Sequence, residues 1–285
     1  MTLPFLLFGI VFLGQIFFIS WYFPGKIFDR VHHIRDTYPP QDYPKLYPNS
    51  AEYYKLGAWL LRATFRAVFI LGFVVLAAVY FLDPRDDGSV SEAWPAAYGA
   101  LQFLPLMLLE IVSFTQFRQM RQSRAAHRRK ASLQPRRLFD FVPPWLLALA
   151  VLAIVGQLAF DYWVHEFVWR WHQTAILLGT NLFLAGFGVW QLYGKKLDPH
   201  QATADRIRQS RAQLRSLVFV SIAMSLFFIT TSADQVYDID YLDAPLLSLY
   251  FQAITFLSVG YLLQSQPLEN IDFEVYRAEP DTSTA

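Results

Sequence analysis

Three sets of residues have types and spacings that could do chemistry. Glu110 stands in LPLMLLEIVSF, an otherwise apolar run that ends at Arg118, about two helical turns further on. A carboxyl at that depth in hydrocarbon is costly when charged, and it points first to proton carriage or cation binding. The plainer alternative is an ion pair with Arg118, Arg121 or a neighbouring loop. The second set is a pair of polar stripes at helical spacing, Ser248, Gln252, Thr255 and Ser258 in one apolar segment and Ser221, Ser225 and Ser232 in another. With Gln157 and Asn181 from two earlier segments they could line a hydrophilic path or a small-solute site. As ordinary interhelical hydrogen bonds they would contribute about 0.6 kcal/mol each.

The third set lies in DYWVHEFVWRWHQT, where Asp161, His165, Glu166 and His172 are interleaved with Trp163, Trp169 and Trp171. Asp161 and His165 are four residues apart and His172 opens the next segment, so a metal site of His and carboxylate ligands is geometrically open. The competing reading is an interfacial aromatic belt with solvated His and Glu beside it.

Much chemistry is excluded by what is missing. The chain has no Cys, which removes thiolate catalysis, iron–sulfur ligation and thiolate zinc sites. None of the apolar segments contains a Lys, so a retinal Schiff base cannot form. No His falls at the middle of a segment, so a bis-His haem inside the bilayer is not expected. Sequence motifs of the GxSx and GxGD intramembrane proteases are absent, and no other cofactor is indicated.

These residues are positioned by an apolar scaffold. Hydrophobic residues make up 54% of the 285 residues and charged ones 16%, against about 25% charged in soluble domains. Segments of about 20 apolar residues cross a bilayer, and seven qualify, at roughly 3–23, 65–82, 94–117, 144–164, 173–193, 216–234 and 245–263. Of the 24 Lys and Arg, only Arg85 and Arg170 fall outside 24–66, 118–137, 195–215 and the C-terminal tail. Loops rich in Lys and Arg stay in the cytoplasm. The expected fold is therefore an all-α integral membrane bundle of seven transmembrane helices, N-terminus outside and C-terminus cytoplasmic, in a cell inner (plasma) membrane.

Between the first two spans, 24–64 contains Tyr-Pro at Tyr38, Tyr43 and Tyr47 and is expected to form an extended strap, since Pro restricts itself and the residue before it. Asn49 or Ser50 should cap a helix starting near Ala51, either separate from the second span or continuous with it. The acidic tail 265–285, with Glu269, Asp272 and Glu274, could fold back on the basic loops. The basic run holds Arg118, Arg121, Arg124, Arg128, Arg129, Lys130, Arg136 and Arg137. Its expected partner is the anionic headgroup layer, at about 1 kcal/mol per near-surface charge; a protein partner is the alternative, and one such strip is too little for a nucleic-acid site.

Function follows by weighing these features. Low charge within the spans and the lack of motifs favour a non-enzymatic subunit or scaffold of a membrane complex, acting through a protein partner or a second copy of itself. A transporter or channel using Glu110 and the polar stripes is the alternative, and a membrane enzyme using the His/carboxylate turn is third. The direction in which the stripes point separates the first two.

Overall fold

The computed structural model describes residues 3–82, 89–123, 137–193, 198–237 and 239–278. Among these residues seven helices are long and apolar enough to cross a membrane: α1 Leu3–Thr37, α2 Ala51–Leu82, α3 Ala93–Ser123, α4 Pro144–Val164, α5 Trp171–Tyr193, α6 Thr203–Tyr237 and α7 Asp240–Ser265. No strand occurs among the described residues. All seven expected spans are present, and several helices overrun them.

The ends are set by local chemistry. Ser50 caps α2 by accepting the backbone N–H of Tyr53 at 3.3 Å, and Glu52 lies in the first turn, where the helix dipole favours an acid. Pro144 opens α4, a position where the missing N–H costs nothing. Asp205 lies in the first turn of α6. Helix α1 passes through a π turn at Phe18–Tyr22 and α7 through another at Phe256–Gly260, each inserting one residue into the α-helical count.

In the centre, α6 packs on α4, α5 and α7, and α7 packs on α1, α3 and α6; α2 closes the other side against α1 and α3. Phe8, Phe12, Ile16, Val79 and Tyr98 form one buried cluster, and Phe141, Val142, Leu146, Leu192 and Leu214 a second. Glycine permits the closest approaches. A Cβ on Gly99 would meet the Phe251 ring at 2.6 Å, and one on Gly72 would meet Ile16 Cγ1 at 2.7 Å. The Phe256 ring lies 5.2 Å from Phe18 and 4.9 Å from Phe23, so the two π turns pack on each other.

The strap differs from expectation. Residues 24–37 are not extended: α1 continues unbroken to Thr37, and only 38–50 leave the regular helix, with a short turn at Pro44–Leu46. The physical reason is the position of the breakers, because Pro24 sits where a helix continues with local adjustment, whereas Tyr38-Pro39-Pro40 cannot hold a helix. The tail docks on what remains. Tyr38 stacks on Phe273 at 4.1 Å, and Tyr43, Phe273 and Tyr276 are buried together beside Ile34, Leu46 and Ile271.

Polar bonds lock this platform. The Tyr43 hydroxyl donates to Glu274 at 2.9 Å and the Tyr276 hydroxyl to Asp198 at 2.6 Å. Asp205 accepts the backbone N–H of Asp272 at 2.9 Å, and Arg208 donates to the Asn270 carbonyl at 3.0 Å. The tail thus docks on the strap and on the start of α6 with the loop before it, through Asp198, Asp205 and Arg208. Burial, and then the neighbouring Asp198 carboxylate, push the Tyr276 phenol above its ordinary 10.0.

Candidate functional site

The polar stripes face inward. Ser248, Thr255 and Ser225 are 0% exposed and Ser232 1%. Their bonds stay within and between helices. Ser221 donates to Asn181, whose amide donates to the Leu177 carbonyl at 2.9 Å. Ser225, Thr255 and Ser258 donate to the carbonyls of Ser221, Phe251 and Ile254, and Gln252 crosses to the Val11 carbonyl of α1 at 3.0 Å. Gln157 is buried, and its Oε1 and the Ser248 hydroxyl have no hydrogen-bond partner. Asn181 and Ser221 are therefore brought together as expected, whereas Glu110 lies elsewhere.

A network absent from the sequence reading occupies α1 and α3. The Gln15 amide donates to Gln102 Oε1 at 2.8 Å, and Gln102 donates back to the Gln15 carbonyl at 3.2 Å and to Ser20 Oγ at 2.8 Å. Ser20 contacts the Tyr98 hydroxyl at 3.3 Å, which itself donates to the Val68 carbonyl of α2 at 3.0 Å. The signal was present, since Gln15 and Gln102 each interrupt an apolar run; their pairing was not.

At the turn between α4 and α5, Asp161 is 4% exposed and accepts the Ser232 hydroxyl at 2.9 Å. His165 Nδ1 lies 2.8 Å from the Asp161 carbonyl and 3.4 Å from its carboxylate. Arg170 lies 2.6 Å from Nε2. A guanidinium can only donate, so Nε2 accepts and Nδ1 carries the proton. The ring nitrogen that a metal would need is occupied by Arg170. Glu166 and His172 are exposed, and no group of three His, Asp or Glu that could hold a metal forms among the described residues. Glu166 and Phe167 have φ of 54° and 63°, the left-handed region.

Glu110 lines a cleft of about 360 Å³ between α3, α5 and α6. Helix α3 contributes Glu110, Ser113, Phe114 and Phe117, α5 contributes Phe187, Trp190 and Gln191, and α6 contributes Gln209 and Gln213. No ion pair joins Glu110 to a described residue, so the expected pairing with Arg118 is not made. The Gln191 Oε1 is buried without a hydrogen-bond partner, while Gln209 Oε1 accepts from Gln201 at 2.8 Å. Sequence reasoning found Glu110 and missed the three amides, which lie near the polar ends of α5 and α6, where amides are unremarkable.

Of the basic run, Arg118 and Arg137 are exposed, and the Arg137 backbone N–H donates to Asp140 at 3.4 Å. Arg124, Arg128, Arg129, Lys130 and Arg136 lie outside the described residues, as does the Arg121 side chain. No protein-family model, curated protein or solved structure matches the chain.

Proposed function

We propose that this chain is a multi-pass membrane protein that works without catalysis, as a subunit or scaffold of a membrane complex in the cell inner (plasma) membrane. Its N-terminus lies outside, and the strap, tail and basic loops lie in the cytoplasm, where the distribution of Lys and Arg assigns them. The observation that carries the reading is the inward polar stripe: Ser221 and Gln252 bond across to Asn181 and to the Val11 carbonyl, while Ser225 and Thr255 turn back on carbonyls of their own helices. The two crossing bonds tie α6 to α5 and α7 to α1, and the back-bonds occupy the Ser225 and Thr255 hydroxyls within the helices themselves, which supports packing over a path. The platform of strap and tail gives the cytoplasmic face a folded surface on which a partner or a second copy can rest, and anionic headgroups neutralise the basic run beside it.

Purification in mild detergent, with stoichiometric analysis of what accompanies the chain, tests this. A protein partner or a defined homo-oligomer is expected; a lone monomer that moves a solute across proteoliposomes would overturn it. Orientation is read on the Cys-free background: Glu92→Cys should react with an impermeant maleimide on intact cells, and Glu269→Cys only after permeabilisation. The transport reading retains one specific support, the cleft at Glu110.

A further inference from the structure

We propose that the cleft between α3, α5 and α6 binds an organic cation, a substituted ammonium held by the Glu110 carboxylate within an aromatic box. This goes beyond the subunit reading and does not depend on it.

The charge argument comes from depth. Glu110 is eight residues from Arg118, about 12 Å along the helix at 1.5 Å per residue, and it is exposed at the cleft; its neighbours Ile111 and Val112 on α3 are exposed too. A carboxylate placed there requires a counter-charge, and no described residue provides one. Among the residues lining the cleft, none is Lys, Arg or His, so an anion would find no partner.

The lining chooses among cations. A metal ion would need several hard oxygen or nitrogen ligands; the cleft has one carboxylate, and the described residues hold no group of three metal-ligating side chains. What the walls do present is rings: Phe114 and Phe117 from α3, Phe187 and Trp190 from α5. Ring faces attract ammonium groups stripped of water, Trp most strongly. The unpartnered Gln191 Oε1 adds a buried acceptor, suited to an N–H or to the positive edge of an N-alkyl group. An alkane or lipid tail would leave that acceptor and the carboxylate against hydrocarbon, at a cost. A volume of about 360 Å³ lies at the small end of ligand sites, enough for an ammonium with one ring or a few short chains.

The test uses purified full-length chain in detergent, titrated calorimetrically with phenyltrimethylammonium and, in parallel, with tert-butylbenzene, its neutral isostere. Saturable binding of the cation at one site is expected, with the isostere at least tenfold weaker. Glu110→Gln should weaken the cation tenfold or more and leave the isostere unchanged. Trp190→Leu should weaken it about fivefold to thirtyfold, the range of a desolvated cation–π contact. Phe187→Leu, which leaves the carboxylate in place, guards against a misfolded Glu110→Gln and should also weaken binding; each variant is compared only if its thermal unfolding matches the parent. Displacement of the probe by short-chain phosphatidylcholine but not phosphatidylglycerol identifies a lipid headgroup as the source of the cation, and displacement by neither identifies a free amine; both support the site. Equal binding of cation and isostere, full displacement by sodium chloride, or unchanged affinity in Glu110→Gln and Phe187→Leu alike overturns it.

Discussion

Replacing Gly72 by Ala measures how tightly the first three helices are packed. A methyl group in a helix normally stabilises by about 1 kcal/mol over glycine. At Gly72 the new Cβ would meet the Tyr98 hydroxyl, Ile16 Cγ1 at 2.7 Å and Tyr98 Cζ at 2.8 Å. Tyr98 is 2% exposed and Ile16 0%, so neither has open space to retreat into, and overpacking of this kind costs about 1–3 kcal/mol. Displacing Tyr98 also loses its bond to the Val68 carbonyl and its contact with Ser20, about 0.6 kcal/mol each in a membrane bundle. The net expectation is a loss of about 1–3 kcal/mol. Gly156 supplies the control: it too lies inside an apolar span, but nothing stands within 4 Å of its Cβ position, so Gly156→Ala should gain about 0.5–1 kcal/mol. Both are measured by equilibrium unfolding in mixed dodecyl maltoside and SDS micelles, followed by circular dichroism. A Gly72→Ala protein as stable as the parent, or a Gly156→Ala protein equally damaged, would refute the helix crossing described here.

Glu166→Gly should stabilise by about 1 kcal/mol, because the turn holds this residue at φ 54°, a conformation that costs an L side chain about that much; a lower unfolding midpoint would contradict the turn geometry. Asp161→Ala leaves the buried Ser232 hydroxyl without its acceptor and removes the carboxylate beside His165, whose Nδ1 keeps the Asp161 carbonyl, and should cost about 1–3 kcal/mol, with Asp161→Asn milder; equal stability of all three proteins would show that the network carries no weight. Tail docking should weaken in alkali. Tyr276 is pushed above 10.0 by burial first and Asp198 second, so the docked state prefers the protonated phenol; its contribution is complete below about pH 10 and declines as pH rises beyond it. Hydrogen exchange of residues 266–278, corrected for base catalysis, should accelerate above about pH 10 more in the parent than in Tyr276→Phe, and identical profiles would exclude Tyr276 as the titrating group.

The spans were legible because hydrocarbon thickness demands a long run of apolar residues, and seven such runs stand in the sequence. Ser50 was legible as a cap for the same kind of reason, a local rule with a local signal. The continuation of α1 to Thr37 was missed because Pro24 and Gly25 look like an ending, although the chain meets an unavoidable breaker only at Pro39. Glu110 could be found from its own cost in hydrocarbon, but its cleft could not: that Phe187, Trp190 and Gln191 line it with Glu110 depends on where α5 stands in the bundle, which sequence spacing does not give. The amide pair Gln15 and Gln102 shows the same limit, since each residue is visible and the distance between helices is not. The two π turns left no readable mark, as PheIleSerTrpTyr and PheLeuSerValGly are unexceptional helix compositions.

Those π turns give the first and last spans a shared phase. Each inserted residue turns the helix beyond it by about 100°, and the Phe256 ring, seated against Phe18 and Phe23, fixes the two insertions at one level. Deleting a single residue from 18–22 would swing Phe8, Phe12 and Gln15 away from their neighbours while leaving the strap end in place. A chimera that takes its first span from one chain and its last from another must therefore match them like meshed gears, with both insertions kept or both removed.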